Sequence, residues 1–260
     1  MEKRFFAPSE VVESIIAASK TKANLSTARL LLLGIMAGIY IGFGGFAYMV
    51  VMQTLGNIDV GVMKFLGASV FPVGLMLVVF SGSELFTGNN LMTLAVMDKK
   101  ISFRGLLRNW VLVYIGNLIG SLVLAFMICR ANLVDQNVLT LVLSIGASKT
   151  SFSFKTAFIR GMLCNILVVL SVWVSSEPQE VVSRIFSIWF PIMLFIISGY
   201  EHSVANMFFL PLAKYAGLAI SWGDIWVSNL IPVTLGNIVG GGIIIPAVYY
   251  TAHILPLENR

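Results

Sequence analysis

Charge is scarce in this 260-residue chain: Asp, Glu, Lys and Arg make up 11% of it, against 58% hydrophobic residues and a mean hydropathy of +0.91. A soluble domain carries about 25% charged residues, so a solvated globular enzyme is excluded and an integral membrane protein is indicated. Cysteine is nearly absent. Cys129 and Cys164 lie in or near apolar runs without metal-ligand spacing, which sets aside a disulfide scaffold and a zinc site and leaves packing thiols. Neither a metal nor a cofactor is expected. The chain also lacks His-Glu-x-x-His and Gly-x-Ser-x-Gly, and His202 has no nucleophile at a helical offset, so no enzyme activity is expected. An uncharged segment of signal-peptide type is missing too, because Glu2, Lys3, Arg4, Glu10, Glu13, Lys20 and Lys22 punctuate the first 28 residues.

What the chain has is apolar length. The pattern predicts an all-α membrane protein with spans at about 29–52, 62–81, 106–129, 157–176, 185–200 and 226–251. The second and fifth are interrupted near Gly82 and Gly199, each continuing as a shorter apolar piece. The longest loop, about 130–156, is modest. Residues 1–28 read as an interfacial amphipathic helix on the cytoplasmic side: Pro8 and Glu10 lie early, Lys20 and Lys22 late, and Val12, Ile15, Ile16 and Ala18 share one side. With the N-terminus inside, 11 of the 17 Lys and Arg residues are cytoplasmic, including Lys3, Arg4, Lys20, Lys22, Arg184 and Arg260. Both termini are therefore expected in the cytoplasm of a multi-pass cell-membrane protein. The net charge of +5 reports this topology and gives no basis for nucleic-acid binding.

One pattern occurs twice within the apolar runs. Gly82-Ser83-Glu84, with Asn89 five residues after the glutamate, is matched by Gly199-Tyr200-Glu201-His202 with Asn206 at the same offset. Each follows a Phe-Pro step, Phe71-Pro72 and Phe190-Pro191. The glutamates are 117 positions apart (84 to 201), while Asn109, Gly116-Asn117 and Gly120 recur 120 positions on as Asn229, Gly236-Asn237 and Gly240. More weakly, Gly34 to Gly38 resembles Gly161 to Asn165. Each half, about 29–129 and about 157–251, thus holds three spans. Three is odd, so the halves enter the membrane in opposite senses, as inverted repeats. A carboxylate facing lipid costs roughly 3 kcal/mol. Glu84 and Glu201 should therefore face protein or a water-filled path, which points to a pore or carrier with its site at the repeat interface.

These residues resemble a known family. Val79-Phe-Ser-Gly-Ser-Glu-Leu-Phe-Thr-Gly88 is similar to the first signature of the formate/nitrite transporters. Gly199-Tyr-Glu-His-Ser-Val-Ala-Asn-Met207 is similar to their histidine-bearing motif, and Gly161-Met-Leu-Cys-Asn-Ile-Leu-Val168 to their fourth-span motif. That last motif departs from its usual Val-Cys-Leu-Ala continuation, reading Val168-Val169-Leu170-Ser171. The resemblance runs over nearly the whole chain. It implies an aquaporin-like six-span channel domain over 29–260, a homopentamer in the bilayer, and passage of small monovalent anions such as formate, nitrite, hydrosulfide or lactate, with hydrosulfide favoured. It further implies an outer constriction of Phe71, Leu75 and Phe195 and a cytoplasmic one of Leu85, Phe86 and Val168. His202 and Thr87 would lie between them, with Lys149 at the outer vestibule.

For each of these residues a plainer role stays open. His202, if protonated, could attract an anion or hand it a proton, or it could be a neutral core imidazole. The phenylalanines could be packing residues, and Lys149 a solvated loop lysine. Glu84 and Glu201 are expected to support the helix breaks by accepting from freed backbone N–H groups, since a fixed negative charge in the lumen would repel an anion. Asn89 and Asn206 are expected to serve the same breaks, and Asn165 the pore wall. The alternative function is an aquaporin-type channel for small neutral solutes, although its Asn-Pro-Ala signature is missing.

Overall fold

The computed structural model describes residues 5–255. Lys3, Arg4 and Arg260, part of the expected cytoplasmic charge, lie outside the described residues. All regular structure among these is helical, apart from one isolated bridge between Phe5 and Pro178. The first half comprises α1 (Pro8–Ala23), α2 (Thr27–Met52), α3 (Val60–Val70), α4 (Val73–Ser81), a 3-10 turn at Gly88–Met92, α5 (Thr93–Met97) and α6 (Phe103–Arg130). The second comprises α7 (Gln136–Thr150), α8 (Phe154–Ser175), α9 (Val181–Ile197), α10 (Ser203–Tyr215) and a last helix, Trp222–His253. Among the described residues, five helical stretches are long and apolar enough to cross a bilayer, including Val60–Ser81, which joins α3 and α4. The 17 residues of α9 are apolar but shorter; at 1.5 Å per residue they rise about 25 Å.

Local chemistry sets the helix limits. Ser26, Ser102 and Ser153 cap α2, α6 and α8 by accepting from backbone N–H groups of their first turns. α4 and α9 end alike. Gly82 and Gly199 take φ +70° and +72°, the left-handed conformation that glycine adopts without steric cost. Ser83 N–H then closes back on Val78 O, as Tyr200 N–H does on Phe195 O. The last helix contains two π-type stretches, Ile225–Leu230 and Ile238–Ile244. Pro232 and Pro246 follow two residues after each; they have no N–H to give the regular ladder, which widens ahead of them.

Backbone-to-backbone packing pairs α2 with α6 and α8 with the last helix. A Cβ on Gly38 would run into the carbonyl of Asn117, and one on Gly240 into that of Met162. Without a hydrophobic drive between helices in lipid, such small-residue contacts are what hold spans together. α10 is buried on every side from Ser203 to Ala213. An apolar helix that is buried all round belongs inside a bundle, so the segment after the second break is enclosed by the long helices.

Two differences from the sequence reading stand out. The stretch expected as a loop, about 130–156, contains α7; Asp135 caps it, and Val138, Val142 and Gly146 are buried. Its mixed face of Gln, Asn, Thr, Ser and Lys hid it from a search for apolar length. The apolar face of α1 is also turned to protein. Val11, Val12, Ile15 and Ile16 pack on Leu91, Leu94, Ala95 and Trp173. Ala18 is exposed, and Ser19 is buried in its stead, bonded to Ile15 O. Phe6 N–H donates to Glu177 O at 2.8 Å, tying the start of the chain to the α8–α9 loop.

Candidate functional site

Two polar knots, one in each half, share most of their bonds. In the first, Lys22 Nζ lies 3.0 Å from Glu84 Oε1 and donates to Asn89 Oδ1 at 2.8 Å. Asn89 Nδ2 donates to Glu84 Oε2 and to Asn109 Oδ1. In the second, Lys149 Nζ donates to Glu201 Oε1 at 2.8 Å, and Asn206 Nδ2 donates to Glu201 Oε2 and Asn229 Oδ1. Beneath each knot a second asparagine closes the helix break. Asn117 accepts from Phe86 N–H and donates to Gly34 O and Glu84 O. Asn237 accepts from Ser203 N–H and donates to Gly161 O and Glu201 O. Asn165 joins the halves, donating to Thr87 O, Asn90 Oδ1 and Asn237 O.

This corrects the role expected of the glutamates. Their carboxylates bond to lysine and asparagine side chains, and the freed backbone N–H groups are met by Asn117, by Asn237 and, at Glu84 and Glu201, by the carbonyls of Leu33 and Arg160. The physical reason is proximity to the ammonium groups: a buried carboxylate gains more from a cation at 3 Å than from an amide. Lys22 was absent from the expected site. The signal was present, because Lys22 and Lys149 each stand four residues before a capping serine, Ser26 and Ser153.

Each knot opens into a cavity. The one on the α1 side, about 340 Å³, is lined by Lys22, Glu84, Asn89, Leu75, Leu85 and Arg184 among others. The one on the α7 side, about 270 Å³, is lined by Lys149, Glu201, Arg160, Tyr48, Tyr200 and Phe209 among others. A third, much smaller apolar space of about 10 Å³ is bordered by Ile41, Phe71, Leu75, Leu85, Val168, Ile192, Phe195 and His202. That is room for one water at most.

Five of the six expected constriction residues, Phe71, Leu75, Phe195, Leu85 and Val168, border this one small space. Leu75, assigned to the outer ring, lines the α1-side cavity together with Leu85. Phe86 lines none of the three cavities; its ring meets Trp110 and Tyr114 edge-on at 5.9 and 5.0 Å. Its N–H donates to Asn117 on α6, while its neighbour Leu85 borders the small apolar space. Phe71 and Phe195 meet edge to face at 5.7 Å. Ile41 and Ile192 carried no motif and were legible only as span residues.

His202 is the polar group at the closure. It caps α10, its Nδ1 accepting from Ala205 N–H at 3.1 Å, while Nε2 lies 2.7 Å from Thr87 Oγ1. A nitrogen that accepts carries no proton, so this bonding fits a neutral imidazole with its hydrogen on Nε2, donated to Thr87. A second proton would cost the ring its bond to Ala205.

An all-helical protein with several membrane-length apolar helices, two cavities that each hold a lysine–glutamate pair and a small apolar space at His202 points to the channel and transporter class. The formate/nitrite transporter family profile matches residues 9–251, and the chain belongs to that family. A probable formate transporter of Methanothermobacter thermautotrophicus is 36% identical, the alignment covering 98% of this chain and 99% of that protein. The formate channel FocA of Escherichia coli K12 is 31% identical over 95% of this chain and 93% of its own length. Among solved structures, a pentameric formate channel with formate bound superposes with a TM-score of 0.79 at 34% identity, covering 88% of this chain and 98% of that one. A further ion channel of the family superposes with a TM-score of 0.84 at 31% identity, covering 94% and 98%.

Proposed function

We propose that this protein conducts small monovalent anions across the cell membrane as a homopentamer with one pore per subunit. In this reading the chain forms six spans in two inverted repeats, with α1 and α7 added to the halves as matching lids. Both termini and the α1-side vestibule face the cytoplasm. The observation that carries the reading is a small apolar space bordered by His202, itself bonded to Thr87, in company with two cavities that each hold a lysine–glutamate pair. Formate stands first among the substrates because the named relatives are formate channels and transporters. Nitrite and hydrosulfide share its charge and small size.

The closure excludes a charged, hydrated anion, and a neutral imidazole offers it no counter-charge. Leaving water costs a neutral acid far less than its anion. The substrate therefore crosses the closure as its conjugate acid, with the His202–Thr87 pair as the one polar stop, while Leu85, Phe195 and their neighbours move aside. Flux per total substrate then rises as pH falls through the range in which the substrate itself is protonated. The test is flux into proteoliposomes of the purified protein for formate, nitrite, hydrosulfide, lactate and glycerol at several pH values. Anion flux with that pH trend, altered in His202→Asn, supports the reading. Glycerol flux without anion flux overturns it in favour of a neutral-solute channel, and unchanged flux and pH dependence in His202→Asn removes the histidine from the mechanism.

A further inference from the structure

The lysine in each vestibule is matched by a glutamate at 3.0 Å or less, so neither pair leaves much net charge. What remains is one arginine per vestibule. Arg184, on α9, lines the α1-side cavity; Arg160, on α8, lines the α7-side cavity. They are not counterparts under the internal repeat, yet each guanidinium lies against an aromatic ring. The Arg184 guanidinium lies 5.5 Å from the Phe80 ring centroid and its Nε donates to Ser175 O at 2.9 Å. Arg160 stands 4.2 Å over Phe152, and among the described residues its guanidinium makes no hydrogen bond. Both guanidinium forks are thus oriented by an aromatic ring, with their terminal nitrogens free of partners among the described residues.

We propose that Arg184 and Arg160 are the anion-recruiting subsites of the two vestibules, and that they recruit planar two-oxygen anions in preference to single-atom acceptors. The inference rests on the anion-channel reading above and deepens it. A guanidinium fork matches two coplanar oxygens bidentately, as in formate or nitrite; hydrosulfide has one acceptor atom and gains only the charge. A unit charge about 6 Å away in a water-like medium raises local anion concentration about threefold. That gain fades as the screening length falls from about 30 Å at 0.01 M salt to about 3 Å at 1 M.

The experiment measures initial flux against substrate concentration in proteoliposomes for wild type, R160Q/R184Q and R160K/R184K, using formate and hydrosulfide, at low and high sodium gluconate. Altering both arginines removes any dependence on insertion orientation. The expected result in R160Q/R184Q is an apparent KM raised about threefold for both anions at low salt, with maximal flux unchanged and the difference lost at high salt. In R160K/R184K the KM for formate rises while that for hydrosulfide stays near wild type. Equal responses of the two anions in the lysine variant overturn the proposal, as does an unchanged low-salt KM in the glutamine variant. If R160Q/R184Q does not fold, the lysine variant and the salt dependence of wild-type KM decide: a wild-type formate KM indifferent to salt refutes the recruiting role. Wild type passing no anion at all would instead sink the channel reading, a distinct outcome.

Discussion

Lys149 and Glu201 offer the sharpest energetic test of the vestibule. Their side chains are 15% and 4% exposed and meet at 2.8 Å. At an effective dielectric of about 20, that separation is worth about 6 kcal/mol of attraction, much of it offset by desolvating the two ions. Lys149→Met leaves the carboxylate buried with only the amides of Asn206 and Asn229 to hold it. Breaking a buried pair from one side costs about 3–5 kcal/mol, while removing both charges is near neutral. The single variant should therefore unfold about 10 °C lower than wild type in a detergent-solubilised thermal melt, and Lys149→Met/Glu201→Gln should recover most of that loss. Glu201→Gln alone should cost less, because the ammonium can turn to the water of its cavity. Completing the four melts gives the coupling directly. If single and double variants melt together, the lysine is not there to hold the carboxylate. The same cycle at Lys22 and Glu84 should give a smaller coupling, since Lys22 is 31% exposed.

Gly38→Val should abolish assembly or lower the melt strongly, because the new side chain meets the Asn117 backbone where no rotamer can relieve it; gel filtration and a thermal melt report it. Gly82→Ala, with open space around its Cβ but φ at +70°, should cost only about 1 kcal/mol in the same melt. Phe86→Leu should leave anion flux near wild type, whereas Phe195→Ala should raise it several-fold by thinning the closure; equal effects would return Phe86 to the lumen. Asn117→Leu removes three hydrogen bonds at the first break and should destabilise by about 2–4 kcal/mol, as Asn237→Leu should at the second.

Features carried by local chemistry could be read from the sequence, and those carried by contact between distant segments could not. Apolar length placed five of the long helices within a few residues: 29–52 became Thr27–Met52, and 106–129 became Phe103–Arg130. The glycines singled out in the sequence, Gly82 and Gly199, take left-handed φ where α4 and α9 end. The repeated asparagines were visible by spacing, yet their division of labour was not. Asn117 and Asn237 serve the backbone, Asn89 and Asn206 the carboxylates, and nothing in their local sequence separates the two duties. α7 was hidden because it is too polar and too short to register as a span. Phe86 and Leu85 are neighbours of similar character, and nothing in the sequence shows that Leu85 borders the small apolar space while Phe86 packs on Trp110 and Tyr114.

In the proposed anion path, the pairing of lysine with glutamate would explain how carboxylates can stand beside it. A lone ammonium at the edge of a dry closure would hold an anion tightly and slow its release, and a lone carboxylate would repel it. Bonded together, they keep a polar, hydrated wall without a deep electrostatic well. A conduction path requires that balance, because a site must be favourable enough to fill and weak enough to empty. On the proposed arginine subsites, net attraction would fall to the ring-held guanidinium groups, where it would raise local anion concentration without forming such a well.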